Sequence, residues 1–348
     1  MSNSTKPSVD VAVPCYNYAN YLKGCVDSIL SQEGVNVRVL IVDDCSPDNT
    51  AEVAAQLVAA DPRVSYTRNE KNLGLVGTAN RGVIEWARAP YTVLLSADDS
   101  LTPGSLARST AVLEANPDVG MVYGMAMVVG DTDGQHLVSD RAEFEYRKVT
   151  GPDFLRRFSE HGNQVASPTA VVRTDLQHQL GGYNPTFPHT CDVEMWMRFA
   201  TRSSIAVINA PQAYYRWHSG NMSKAYIKRP FGDMREQLET VKFIHKQWGQ
   251  HIEAYPAWIA AMTKRIAAQV CWLGGLAIER GDVEGGRACL DYAQSIFPDL
   301  WRLKGYWGYQ VKALIGGRMI RAVRGGTRFP QDPFQHGSLF GWWPDATS

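Results

Sequence analysis

The sequence has no Gly-x-Gly-x-x-Gly after its first strand-like stretch; "PCYNYANY" stands there, without a glycine. That removes the turn with which dinucleotide enzymes hold a pyrophosphate. The absent Gly-x-x-x-x-Gly-Lys removes the phosphate cradle of Walker-type NTPases. No apolar run approaches the roughly eighteen residues of a spanning helix, and the polar start "MSNSTKPSVD" carries no secretory signal. Net charge is missing too, with 35 Lys and Arg against 35 Asp and Glu, so the whole chain is no polycation for nucleic acid. The six cysteines (15, 25, 45, 191, 271, 289) are scattered, with no Cys-x-x-Cys and no His pair at zinc spacing. These absences predict a cytoplasmic, reduced protein without a nucleic-acid partner. What remains is 348 residues, 45% hydrophobic and 20% charged, the composition of a soluble protein of about two domains.

The first half alternates strand and helix. "VDVAVP" (9–14) is a short strand, and "YLKGCVDSILSQ" (21–32) has apolar residues at helical spacing. "VRVLIVDD" (37–44) is a continuous apolar strand of the kind buried on both faces of a parallel sheet. "NTAEVAAQLVAA" is a helix capped by Asp48 or Asn49. "RVSYTRN", "YTVLL" and "GMVYGMAMVVG" are further strands, separated by the helices "GTANRGVIEWARA" and "GSLARSTAVLEAN". This order predicts a right-handed, mostly parallel α/β sheet that binds its ligand at the C-terminal strand ends. Later, "SPTAVVRTDLQHQLGGYNP" reads strand, helix and Gly stop, and "CDVEMWMRFAT" reads as a helix. "SIAVINAPQAYYRWHSGNMS" reads as a strand, a Pro break, a second strand and a polar loop. Beyond Ala225 the chain becomes helical, and residues 267–298 form a helical hairpin. The expected domains are 1–225 and a helical 226–348.

The polar residues collect where the sheet rule puts a site. The strand exits read "CYNY", "DDCSPDNT", "NEKNLG" and "SADDS". One pair of aspartates is a turn; two pairs on one sheet edge make a converging site. A helix-capping loop remains a reading for Asp48 and Asn49, but Asp43 and Asp44 come too early to cap. With no backbone nest for a diphosphate, a divalent cation held by carboxylates is the natural substitute.

Six segments in order carry a resemblance to the family 2 glycosyltransferases of the GT-A fold over most of residues 8–225. They are "VAVPCYNYANYLKGCVDSILSQ", "VDDCSPDNT", "NEKNLGLVGTANRG", "SADD", "CDVEMWMR" and "YYRWHSGNMS". The resemblance implies a GT-A Rossmann-like sheet flanked by helices, followed by the helical C-terminal region. It implies that Pro14, Tyr16 and Asn17 line a nucleoside pocket and that Asp43 and Asp44 reach base and ribose. Asn72 and Asn80 join the nucleotide-sugar site. Asp99 would be the direct ligand of Mn2+ or Mg2+, with Asp98 and His218 beside it; Asp98 would face the ribose or a metal-bound water. Arg216 and His218 would meet the diphosphate.

The base implied by the resemblance is Asp192, with a helix cap as its other reading and Glu194 as the alternative base. Two positions depart from the family pattern. Cys45 replaces a glycine, which suggests a backbone outside the glycine-only conformations. Cys191 replaces an acid, which removes one like charge that could raise the base's pKa. The implied reaction is a single displacement that inverts the anomeric centre, from a UDP-sugar ahead of a dTDP- or GDP-sugar. The acceptor would be a glycan or lipid-linked glycan of a bacterial surface. A non-catalytic scaffold that binds a sugar nucleotide or glycan is the rival reading, and an oligomer is left open.

The tail adds a separate expectation. Residues 301–328 hold seven Arg or Lys and no acid, interleaved with Trp301, Tyr306, Trp307, Leu314, Ile315, Met319 and Ile320. This composition suits a peripheral contact with an anionic membrane, on the inner face of the cytoplasmic membrane; packing of the aromatics onto the protein is the alternative.

Overall fold

The computed structural model describes residues 6–130, 144–221, 231–316, 319 and 337–341. The chain forms two compact units: Met1–Leu155 with Asn163–His218 and Phe334–Ser348, and Arg156–Gly162 with Ser219–Pro333.

The first unit is built on one curled, mixed sheet. Its strands are β1 (Ser8–Cys15), β2 (Asn36–Asp43), β3 (Val64–Arg68), β4 (Tyr91–Leu94) and β5 (Ser100–Leu101). They continue with β6 (Val119–Val129), β7 (Tyr146–Val149), β8 (Val171–Arg173), β9 (Ser204–Arg216) and β10 (Leu339–Phe340). The order is β3-β2-β1-β4-β8-β6-β9-β5, with β7 added to β9 and β10 to β6. β1 pairs in parallel with both β2 and β4, so the strand order reverses between β1 and β4. A crevice opens at such a reversal, at the C-terminal strand ends. The expected parallel order covers β3 to β4; from β8 onward parallel and antiparallel pairs mix.

Helices α1 (Ala19–Leu30), α2 (Thr50–Ala60), α3 (Gly74–Asn80) and α4 (Ser105–Ala115) follow the early strands. Leu22, Val26 and Ile29 of α1, at i, i+4 and i+7, bury one face against Val9, Val11, Val13, Val39 and Ile41 of the sheet. α3 runs on into a π-helical turn at Arg81–Trp86. α5 (Gly151–His161), α6 (Thr174–Leu180) and α7 (Cys191–Ala200) complete the order before β9.

Three local readings change. The Pro break expected near residue 211 is a bulge inside one continuous strand: Ile208 pairs with Gly124, Pro211 with Met125 and Ala213 with Ala126. Proline lacks the N–H that a regular ladder needs, and a bulge releases that requirement. Residues 167–169, read as the start of a strand, form a 3-10 turn with Pro168 in its first positions. The two-residue β5 gave no periodic signal, yet it pairs antiparallel with Ala213–Tyr214.

In the second unit α8 (Gly232–Gln247), α9 (Tyr255–Arg280), α10 (Val283–Ile296) and α11 (Lys304–Ile315) follow one another. α9 and α10 form the expected hairpin. Gly281, at φ 90°, ends α9, and Asp282 opens α10 by accepting the Gly285 N–H at 2.8 Å. α11 packs on α9, with Tyr309 buried and Lys312 paired to Glu279 at 2.7 Å. Residues 317–318 and 320–328 of the basic segment lie outside the described residues. Among the described residues no helix is long and apolar enough to cross a membrane.

Candidate active site

The exits of β1 and β2 are tied together first. Asn17 adopts a left-handed backbone, at φ 60°, and its N–H reaches Ser46 Oγ at 3.1 Å. Asp48 accepts the first N–H of α1 from Ala19 at 3.0 Å and holds Thr50 at the start of α2, so its carboxylate serves two helix openings. Pro14 is buried and its carbonyl accepts the Ala97 N–H, whereas Tyr16 is 46% exposed beside it. Asp43 is fully buried: Oδ1 accepts from Ser46 N–H at 2.8 Å, Oδ2 from Tyr66 at 2.9 Å, and Arg68 pairs at 3.2 Å. Asp44 Oδ1 accepts from Asn69 and from the Leu73 N–H, both at 2.7 Å, which draws the β3 exit toward it. Asn72 folds its own loop by accepting from Gly74 N–H at 2.9 Å.

The backbone at Cys45 is left-handed, at φ 59°, which corrects the expectation drawn from its side chain. The turn bends there so that Asp43, two residues earlier, can accept the Ser46 N–H. The left-handed well costs an L-residue about 1–2 kcal/mol without being closed to it.

The β4 exit meets the end of β9 because β5 pairs with it. The Arg216 N–H donates to Asp99 Oδ1 at 2.9 Å, and its guanidinium donates to the carbonyls of Asp98 at 3.0 Å and Gly130 at 2.7 Å. His218 Nε2 lies 3.1 Å from Asp98 Oδ2. Its ring sits between Tyr18 and Tyr21, at centroid distances of 5.4 and 5.3 Å, and Arg216 lies over Tyr21 at 5.1 Å. Burial first, then the Asp98 charge, holds the Asp99 carboxyl well above the usual carboxylate range, against the pull of Arg216. Burial and both aspartates push the Tyr18 phenol up as well.

These residues fit a divalent cation as a partial shell. Asp98 and Asp99 offer the hard oxygens, and His218 the imidazole nitrogen, that a divalent cation takes; Asp98 Oδ2 and His218 Nε2 share a 3.1 Å hydrogen bond. Among the described residues no three His, Cys, Asp or Glu groups gather to enclose a metal on their own. A cation here would take further oxygens from water or from a bound anion.

Asp192 stands in the first turn of α7 but does not cap it; the cap position is Thr190. Its Oδ1 accepts the Val193 N–H at 2.7 Å, and its Oδ2 accepts from the Ser167 hydroxyl. Burial pushes the Asp192 carboxyl up; Ser167, the Val193 N–H and His189 pull it back. With cysteine at 191, the rise comes from burial rather than from a neighbouring acid. Glu194, the alternative base, is buried against Arg198 at 2.7 Å. Arg198 also donates to the carbonyls of Leu180 and Gly182, both at 2.7 Å, pinning the turn after α6.

Asn80 spends its side chain on the same segment. Its Oδ1 accepts the Tyr183 N–H at 2.6 Å and its Nδ2 donates to the Tyr183 carbonyl at 2.9 Å. A Cβ at residue 182 would lie 2.5 Å from Asn80 Oδ1, so the approach needs Gly182. Glu160 and His161 pair with each other at 3.8 Å at the end of α5.

The structure therefore gathers Asp98, Asp99, Arg216 and His218 in one cluster and Asp43 and Asp44 in another. Asn80 is joined to the 182–183 turn. The residues that sequence reasoning missed are Tyr18, Tyr21, Asn69 and Ser167. Only the phase of α1, which stacks residues 18 and 21 on one side, and the Ser-Pro-Thr triplet hinted at them.

Residues 10–175 match the model of glycosyl transferase family 2. An uncharacterized protein of Mycobacterium tuberculosis is 32% identical over 214 residues, 59% of this chain and 66% of the relative. A chondroitin synthase of Pasteurella multocida is 38% identical over 196 residues, 56% of this chain and 19% of the synthase. The chain thus matches less than two thirds of the length of these relatives. TarS of S. aureus, residues 1–349 in complex with UDP, superimposes with a TM-score of 0.53 at 17% identity, covering 95% of each chain. That likeness concerns the fold, which is of the GT-A type.

Proposed function

Over residues 10–175 the chain carries a family 2 glycosyltransferase domain, and from that premise we propose a metal-dependent, inverting transfer. A sugar moves from a nucleoside diphosphate, a UDP-sugar first, to a hydroxyl of a glycan or lipid-linked glycan. The observation that carries the reading is the Asp98–His218 pair, flanked by Asp99 and Arg216, at the exit of β4. A carboxylate and an imidazole beside a guanidinium suit a diphosphate and its counter-ion. The UDP bound to the TarS fragment supports the choice of nucleotide. Mn2+ or Mg2+ at Asp98, Asp99 and His218 would neutralise charge on the departing diphosphate.

The protein's own groups do the rest. Pro14, Tyr16, Asn17, Asp43 and Asp44 border the nucleoside end, and Asn72 shapes the loop beside them. Asp192 accepts the proton of the acceptor hydroxyl. The freed oxygen lone pair forms the bond to the anomeric carbon as the bond to phosphate breaks, with inversion. Tyr18 and Tyr21 pack on the His218 ring, and Arg216 sets a positive charge beside it where the diphosphate would lie.

A peripheral membrane contact through 301–328 belongs to the same reading, on the inner face of a cytoplasmic membrane. It is supported by Trp307, Val311, Leu314 and Ile315, exposed at i, i+4, i+7 and i+8 of α11.

The test is release of nucleoside diphosphate from a panel of nucleotide sugars, with and without EDTA, in wild type and Asp192→Asn. Metal-dependent release that Asp192→Asn abolishes supports the reading. Metal-independent release, or none with any donor while UDP binds, overturns it in favour of another mechanism or of the scaffold.

A further inference from the structure

We propose that Ser167 is a positioning residue that fixes the Asp192 carboxylate in the orientation that receives the acceptor's proton. The proposal rests on the reading of Asp192 as the base.

Ser167 opens the 3-10 turn Ser167–Thr169, and that turn is anchored independently of α7. Pro168 restricts its backbone. The Thr169 hydroxyl lies 2.7 Å from the Ala166 carbonyl and 3.1 Å from the Gly124 carbonyl, and accepts the Gly124 N–H at 3.3 Å. The turn packs against β4, β5, β6 and β9, the strands whose ends carry Asp98, Asp99 and Arg216. Ser167 is therefore a fixed donor on the sheet, and Asp192 reaches it from a separate helix.

The two Asp192 oxygens meet donors of different origin. The Val193 N–H belongs to α7 itself and holds Oδ1 at 2.7 Å; it moves with the helix. The Ser167 hydroxyl on Oδ2 ties the carboxylate to the sheet. Together they define the carboxylate plane and leave each oxygen a further lone pair. A base held in one geometry avoids a rotamer search at each turnover, and small misplacement of such groups costs rate steeply.

The other titratable groups around it are His189 before α7, Tyr183 after α6, and Cys191 on α7. Burial first, then Cys191 and Asp192, push the Tyr183 phenol up. His189 and the Ser167 hydrogen bond both favour the ionised carboxylate, against its burial. Ser167 keeps its own proton throughout: the acceptor's proton ends on Asp192, and no relay through the hydroxyl is needed.

The experiment follows the 13Cγ resonance of Asp192 across pH in full-length protein labelled at aspartate, assigned by its loss in Asp192→Asn. Ser167→Ala is expected to move the Asp192 midpoint upward by about one pH unit, the order of one charge-assisted hydrogen bond. Ser167→Thr, which restores a hydroxyl, should bring it back. Melting curves confirm that each variant is folded, and Ser167→Cys, nearly isosteric with a weak donor, replaces the alanine variant if that one is not.

A midpoint in the alanine or cysteine variant equal to wild type overturns the proposal. The outcome is separable from the fate of the base. If Asp192→Asn still turns over UDP-sugar, the reading of Asp192 fails. If it is inactive while the Ser167 variants titrate like wild type, only the positioning role fails.

Discussion

Removing Glu194 separates its two candidate roles, because the structure predicts a large loss of stability and no direct part in chemistry. The Glu194 carboxylate is 1% exposed and the Arg198 side chain 6%, with 2.7 Å between them. Burial pushes the Glu194 carboxyl up, while Arg198 and Asn184 pull it down. In Glu194→Ala the guanidinium stays buried, with only the Leu180 and Gly182 carbonyls to face it. Breaking one side of a buried pair costs about 3–5 kcal/mol. In a unit of this size each kcal/mol is worth roughly 2–4 °C, so the melting temperature should fall by roughly 6–20 °C. Arg198→Met should cost less, because methionine fills similar volume and leaves only the acid, which can take up a proton. Urea unfolding of wild type, both single variants and the double variant measures this. The double variant should recover much of the loss, giving a coupling on the order of 1–3 kcal/mol. Two results would refute the reasoning: additive single effects, or wild-type stability in Glu194→Ala with total loss of transfer. The second would make Glu194 the base.

Asp192→Asn should keep the fold and abolish transfer. Its carboxyl is held up by burial, so the stability it contributes is present at low pH and lost as pH rises through the folded value. The asparagine variant should therefore melt above wild type at pH 8, with the gap closing toward pH 4; a gap that widens on acidification contradicts this. Asp98→Asn and His218→Gln should each weaken Mn2+-dependent UDP binding at least tenfold by titration calorimetry, measured below the melting range of each variant because both side chains are buried. Unchanged metal dependence in both would remove that pair as the cation site. Flotation with phosphatidylglycerol vesicles should fall in high salt and in Trp307→Ser/Leu314→Ser, whose positions are 57% and 89% exposed. Equal flotation of both proteins ends the membrane reading.

The legible and illegible parts of the molecule differ in the range of the contacts that make them. β1, β2, α1 and β4 are built from side chains whose period or apolar run marks them locally, and Val39 to Val42 could belong only to a strand covered on both faces. The paired aspartates at two strand exits were legible for the same reason: strand order alone puts their backbones on one edge. What local pattern does not carry is which atoms then meet. β5 is two residues long and exists because Ala213–Tyr214 pair with it across more than a hundred positions, and that pairing delivers the Arg216 N–H to Asp99. Asn80 shows the same limit from the other side. Its place in "NEKNLGLVGTANRG" suggested a nucleotide contact, but both ends of its amide lie on the backbone of Tyr183, over a hundred residues away. Cys45 marks a different gap. A side chain constrains the backbone only by what it disfavours, and the hydrogen bonds of Asp43 and Asp44, the two residues before it, override about 1–2 kcal/mol of preference. Ser167 joins both cases, since a serine before a proline has no periodic signature and its partner is 25 residues on, in another element. In a mixed sheet the chemistry lies where distant segments are pinned together. Substitutions at the pins, Asn80, Arg198 and Ser167, should therefore lower turnover more than nucleotide affinity, whereas changes at Asp98 or His218 should weaken nucleotide binding as well. Saturation kinetics on one variant of each kind decide it: equal loss of kcat and affinity at the pins would mean that they hold the donor rather than the machinery around it.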